Sequence, residues 1–78
     1  MQTVKVLYFA SLRELLGVAE STLEVSSETD AASVWKAVNP SIDLPEASLV
    51  AINQAYASLD AVVQPGDEIA FFPPVTGG

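Results

Sequence analysis

The chain contains neither cysteine nor histidine. Without thiolate or imidazole, the usual ligands for zinc, copper and iron–sulfur clusters are missing, so no metal site is expected. Disulfides are excluded for the same reason, which fits a reducing compartment. Basic residues are scarce: three Lys and Arg stand against ten Asp and Glu, for a net charge of −7. Nucleic-acid binding needs clustered cations to neutralise phosphates, and an anionic membrane surface repels such a chain, so neither partner is expected. No apolar run approaches the ~20 residues of a membrane span. No basic stretch followed by an apolar run marks a signal peptide. A Walker-type glycine loop is absent, as is any serine paired with a base, so no catalysis by this chain alone and no cofactor of its own are expected. What remains is an acidic, soluble, cytoplasmic protein.

Seventy-eight residues make a single domain at most, since domains commonly run to ~100–150 residues. A chain this short buries only ~60% of its unfolded surface. Half of it is hydrophobic and 17% charged, a composition that folds.

Thr3 to Phe9 is a β-branched and aromatic run of period two, with Val4, Val6 and Tyr8 on one face and Lys5, Leu7 and Phe9 on the other. Ser11 and Glu14 have the spacing of a capping box, which predicts a short helix with Leu12, Leu15 and Leu16 as its apolar face and Gly17 as its stop. Thr22–Val25 reads as a second strand paired with the first. Thr29 or Asp30 caps a second helix reaching about Asn39; Ala31, Val34, Trp35 and Val38 form its apolar stripe and Pro40 ends it. A loop is expected from Pro40 to Ser48, then a strand over Leu49–Asn53. A turn at Pro65–Gly66–Asp67 leads into a last strand, Glu68–Phe72. The architecture expected is α+β, a sheet packed on one main helix. Its first and last strands, the most apolar, lie centrally.

If the helix covers Val4, Val6, Tyr8, Val50, Ile52, Ile69 and Phe71, the opposite face carries Lys5, Leu7, Phe9, Ala51, Asn53, Ala70 and Phe72, with Tyr56 nearby. A solvated sheet face is mostly polar. Two phenylalanines and a leucine there point to protein docking, and burying each ring contributes ~1.5–3 kcal/mol.

The final six residues are the most informative. Pro73 and Pro74 follow directly on a strong strand, cannot donate to a ladder, and stiffen the exit. Domain boundaries are therefore set at 1–72 for the folded body and 73–78 for an extended tail. Six residues reach ~20 Å at ~3.3 Å each. Gly77 and Gly78 lack Cβ atoms, so the tip is thin enough to thread a narrow channel and present its carboxylate to a partner's active site. That carboxylate is ionised at neutral pH and a poor electrophile. Acyl chemistry there needs prior activation, most simply by adenylation, and the scattered carboxylates of this chain supply no machinery for it. The chain reads as a carried reagent.

Val4-Lys5-Val6-Leu7-Tyr8-Phe9-Ala10, the Leu12-Arg13-Glu14-Leu15 helix, Ala51-Ile52-Asn53-Gln54, and the run from Gly66 through Phe71-Phe72-Pro73-Pro74-Val75-Thr76-Gly77-Gly78 resemble the MoaD family, the small sulfur-carrying subunits of molybdopterin synthase. The resemblance spans the chain, and the last eight residues are its most specific part. It implies a ubiquitin-like β-grasp: a mixed sheet on one main helix, a short helix after the first strand and an extended C-terminal tail. It implies that an adenylating enzyme, MoeB, activates Gly78 and that a sulfur donor protein converts the acyl-adenylate to a thiocarboxylate. The tail, Pro73 to Thr76 with Gly77 and Gly78, then enters the large subunit, MoaE, within a heterotetramer, and passes sulfur to cyclic pyranopterin monophosphate. Family docking positions fall on Phe9, Tyr56 and Phe72, of which Tyr56 replaces an aliphatic residue of a relative. Alternatives from neighbouring classes are a sulfur carrier for thiamine or tRNA thiolation, a ubiquitin-like modifier of lysines, and a plain interaction module.

Overall fold

In the computed structural model, which describes residues 2–74, alternating apolar residues build a five-stranded mixed sheet. Its strands are β1 (Gln2–Tyr8), β2 (Glu20–Val25), β4 (Leu49–Ile52), β5 (Ala55–Ala57) and β7 (Glu68–Phe72). They lie in the order β2-β1-β7-β4-β5. β1 and β7, the first and last, are parallel neighbours inside the sheet, with Tyr8 opposite Phe71. The other pairings are antiparallel. β3 (Thr29–Asp30) and β6 (Val62–Val63) form a separate two-stranded ladder.

Helix α2 (Ala31–Val38) lies across one face of the sheet. Asp30 caps it, accepting from the Ser33 backbone N–H at 2.8 Å. That bond, and secondarily the Ser33 side chain, holds the Asp30 carboxyl below its ordinary value of 3.8. Ala31, Val34 and Trp35 are buried from the helix, and Val4, Val6, Tyr8, Val50, Ile69 and Phe71 from the sheet. The Trp35 ring meets Tyr8 and Phe71 edge-on, with centroids 5.9 and 5.1 Å apart. This geometry suits the aromatic quadrupole. Trp35 Nε1 donates to the Ile42 carbonyl at 2.7 Å, pinning the irregular segment that follows α2. The mixed sheet on one main helix, with a short helix after the first strand, is the arrangement expected from the sequence.

The short helix, α1 (Ala10–Leu16), begins differently from expectation. Its N-cap is Phe9, extended and without a side-chain cap bond, so Ser11 and Glu14 form no capping box. The sheet decides this start: the Phe9 N–H donates to the Phe71 carbonyl at 3.2 Å, keeping the chain in strand geometry through Phe9. Ala10 then turns sharply with φ of 51°, and Ser11 is already inside the helix. The expected apolar face also narrows. Leu12 is buried and Leu16, one turn later, packs on the core, whereas Leu15 is 55% exposed. A helix of seven residues directs one narrow stripe inward, and Leu15 falls outside it. Gly17 stops the helix in the left-handed conformation, φ 76°, its N–H bonded to the Arg13 carbonyl.

Candidate functional site

Period-two alternation places Lys5 and Leu7 of β1, Ala51 of β4 and Ala70 and Phe72 of β7 on the sheet face away from α2. Phe9, just past β1, joins them. The ladders bring them into one group: Leu7 lies opposite Ala70, and Ala70 opposite Ala51. Ala51 lies opposite Tyr56 across the β4–β5 hairpin. Ala51 and Ala70 are buried despite facing outward, because larger side chains rise around them. Leu7, Phe9, Tyr56 and Phe72 ring this small-residue floor, enclosing a shallow depression of ≈ 340 Å³.

The aromatic rim is organised. Phe9 and Phe72 are stacked, with centroids 4.8 Å apart and planes 9° from parallel. Tyr56 tilts towards Phe72 at 6.1 Å. Phe9 is 41% exposed and Tyr56 76%, the largest value among the big apolar side chains described. Rings held this openly are unusual unless something covers them. Polar groups are confined to the margins: Gln54 and Glu68 line the depression. Lys5 Nζ stands 3.7 Å from Glu20 Oε2, both well exposed, a pair of small energetic consequence.

Of the residues singled out from the sequence, Phe9, Tyr56 and Phe72 therefore converge. Pro73 and Pro74 follow Phe72 outside any strand, so the chain leaves the sheet beside the stacked rings. Val75, Thr76, Gly77 and Gly78 lie outside the described residues. Asn53, expected as an outer-face strand residue, belongs instead to the turn between β4 and β5. Gln54 and Glu68 were not singled out from sequence. For Glu68 the signal is its parity with Ala70 and Phe72 on β7; for Gln54 it is only the preceding Asn53, a residue that favours the left-handed positions of a type I′ turn. Among the described residues, no group of three carboxylates gathers where a metal ion would be held. No helix among them is long and apolar enough to cross a membrane.

Comparison with known proteins adds to this geometry. The model of the ThiS family matches residues 6–78. The molybdopterin synthase sulfur carrier subunit of Haemophilus influenzae is 45% identical, over 96% of this chain and 99% of that one. Among solved structures, SAMP1 from Haloferax volcanii superposes with a TM-score of 0.80 at 25% identity, covering 97% of this chain and 99% of that one. A chain of the Helicobacter pylori complex of subunits 1 and 2 of molybdopterin-converting factor shares the fold, with a TM-score of 0.63 at 22% identity, covering 97% of this chain and 99% of that one. The chain thus belongs to the ThiS family of ubiquitin-like β-grasp proteins, on the branch of the molybdopterin synthase sulfur carrier subunits.

Proposed function

We propose that this protein carries sulfur for molybdopterin synthesis on its C-terminal carboxylate. The stacked Phe9–Phe72 pair, with Phe9 exposed and Phe72 half-buried at the root of a tail ending in Gly-Gly, is the observation that carries the reading. A docking surface beside the exit of a thin arm suits delivery of a chain end into another protein. Ordering the four non-proline tail residues costs on the order of 4–8 kcal/mol of backbone entropy, which apolar docking must offset.

The chemistry follows from the inertness of a carboxylate. An oxygen of Gly78 attacks the α-phosphorus of ATP in an adenylating enzyme of the MoeB type, expelling pyrophosphate. The persulfide of a sulfur donor protein then displaces AMP from the acyl carbon, and a second thiol cleaves the resulting acyl disulfide, taking the donor's sulfur into a new disulfide and leaving a thiocarboxylate. Phe9, Tyr56 and Phe72 seat the carrier on the large subunit, MoaE, in a heterotetramer. Pro73, Pro74, Val75 and Thr76 thread the passage into that subunit, and Gly77 and Gly78 bring the sulfur to cyclic pyranopterin monophosphate. The thiocarboxylate sulfur attacks a side-chain carbon of the pterin and displaces an oxygen substituent, which leaves with a proton; water at the acyl carbon of the resulting thioester then frees the pterin thiol and restores the carboxylate for the next round. Repeated transfer builds the dithiolene. A chain without cysteine offers no internal thiol to intercept the activated terminus. ATP and reducing conditions place this work in the cytoplasm. Support for a large-subunit partner comes from the Helicobacter pylori complex of subunits 1 and 2, a chain of which has the same fold.

Intact mass spectrometry tests the reading. After incubation with adenylating enzyme, ATP and sulfur donor, the mass should rise by the difference between one sulfur and one oxygen. A chain lacking Gly78 should fold normally, show no such gain and fail in sulfur transfer. A second reading, as a modifier, is favoured by the likeness to Haloferax volcanii small archaeal modifier protein 1. Isopeptide conjugates of Gly78 to lysines in cells would support that reading instead.

A further inference from the structure

We infer that Asn53 is a positioning residue of the docking face: its side chain clamps the β4–β5 turn to the start of β7 and so presets Tyr56 beside Phe72. This rests on the reading of that face as the surface that meets the large subunit.

Tyr56 needs an external anchor. β5 is three residues long, and its flanking residues, Ala55 and Ala57, bring little apolar area. It is laddered only to β4. A short edge hairpin of this kind opens readily. Its turn is also demanding, since Asn53 and Gln54 both have positive φ, 52° and 71°. The two-residue connection from Ile52 to Ala55 follows the type I′ pattern, whose positions favour Asn and Gly.

The clamp consists of three hydrogen bonds. The Asn53 N–H donates to the Glu68 carbonyl at 2.7 Å. The Glu68 N–H donates to Asn53 Oδ1 at 3.0 Å, and Asn53 Nδ2 donates to Asp67 Oδ1 at 3.1 Å. Asp67 is itself held: its Oδ2 accepts from the Gln64 N–H at 2.8 Å, and its carbonyl accepts from the Lys5 N–H at 3.1 Å. A continuous path therefore runs from β1 through Asp67 and Asn53 to the hairpin that carries Tyr56. Asparagine combines tolerance of the left-handed region with one donor and one acceptor on a short side chain. Aspartate would set a second carboxylate against Asp67. Glycine would keep the turn and the backbone bond to Glu68 and lose the two side-chain bonds of the clamp. Holding Tyr56 in place before contact removes an ordering cost from binding.

The test is a double-mutant cycle on the full chain, with affinity for the purified large subunit read by calorimetry. Asn53→Gly retains the turn conformation and should weaken binding about 3- to 10-fold, the loss that matches one side chain no longer preset. Tyr56→Ala should then cost much less in the Asn53→Gly background than in the native one, while Phe9→Ala costs the same in both. Asp67→Ala opens the clamp from its other side and should give the same pattern. Equal losses for Tyr56→Ala in both backgrounds would overturn the inference and leave the docking face standing. Native-like binding by both Tyr56→Ala and Phe72→Asp in the otherwise unchanged chain would overturn the docking reading, and this inference with it.

Discussion

Phe71 and Phe72 are neighbours in sequence with opposite duties, because successive side chains of a strand point to opposite faces. Phe71 is wholly buried against Trp35, while Phe72 lies on the outer face, stacked on Phe9. Phe71→Ala should therefore cost about 3–5 kcal/mol of stability. That is a large share of the ~4–12 kcal/mol that a chain of this length holds, and denaturant unfolding will show it. Phe72→Asp should leave the midpoint of unfolding close to native and weaken association with the large subunit about tenfold or more, read by calorimetry. An unfolded Phe72→Asp variant, or one that binds normally, would contradict this assignment of faces. Alternation alone reveals this pair in the sequence. It does not reveal Asn53, whose importance depends on Asp67 and Glu68, distant in the chain and adjacent only after folding.

Elements differ in how far local sequence determines them. β1, β4 and β7 are legible because their apolar alternation persists over several residues. The ladder of β3 and β6 is not, since two residues per strand cannot display a period. β5 is hidden by its alanines and by Gln54 standing where a type I′ turn favours glycine. The Ser11–Glu14 spacing misleads because a tertiary bond, Phe9 to Phe71, fixes where α1 begins. For α2 the local signal nearly suffices: of the two cap candidates in the sequence, Thr29 and Asp30, it is Asp30 that caps. Asp30→Ala should lower the melting temperature at neutral pH. The folded carboxyl titrates below 3.8 because Ser33 bonds stabilise its charged form. The unfolded state therefore binds the proton first as pH falls, and stability rises with pH across that window. The difference in melting temperature between native and Asp30→Ala proteins should be full above the ordinary carboxylate value and shrink as pH drops through the folded one. A difference that stays constant to strongly acid pH would rule out the charged cap.

At the scale of the whole molecule, the charge of −7 acts over longer distances than any contact. It should speed encounter with a basic partner surface, an effect that salt screens. Stopped-flow association with the large subunit should accordingly slow as ionic strength rises, with dissociation changing much less. A salt-independent association rate would assign the acidic residues to solubility alone.

The middle strand of the sheet is the last of the described strands to be synthesised, and it is wedged between the first strand and the fourth. Chains interrupted before Glu68 would lack the element that joins the two halves of the core, and they would stay open to proteolysis. Closure of the sheet therefore requires translation at least through Phe72.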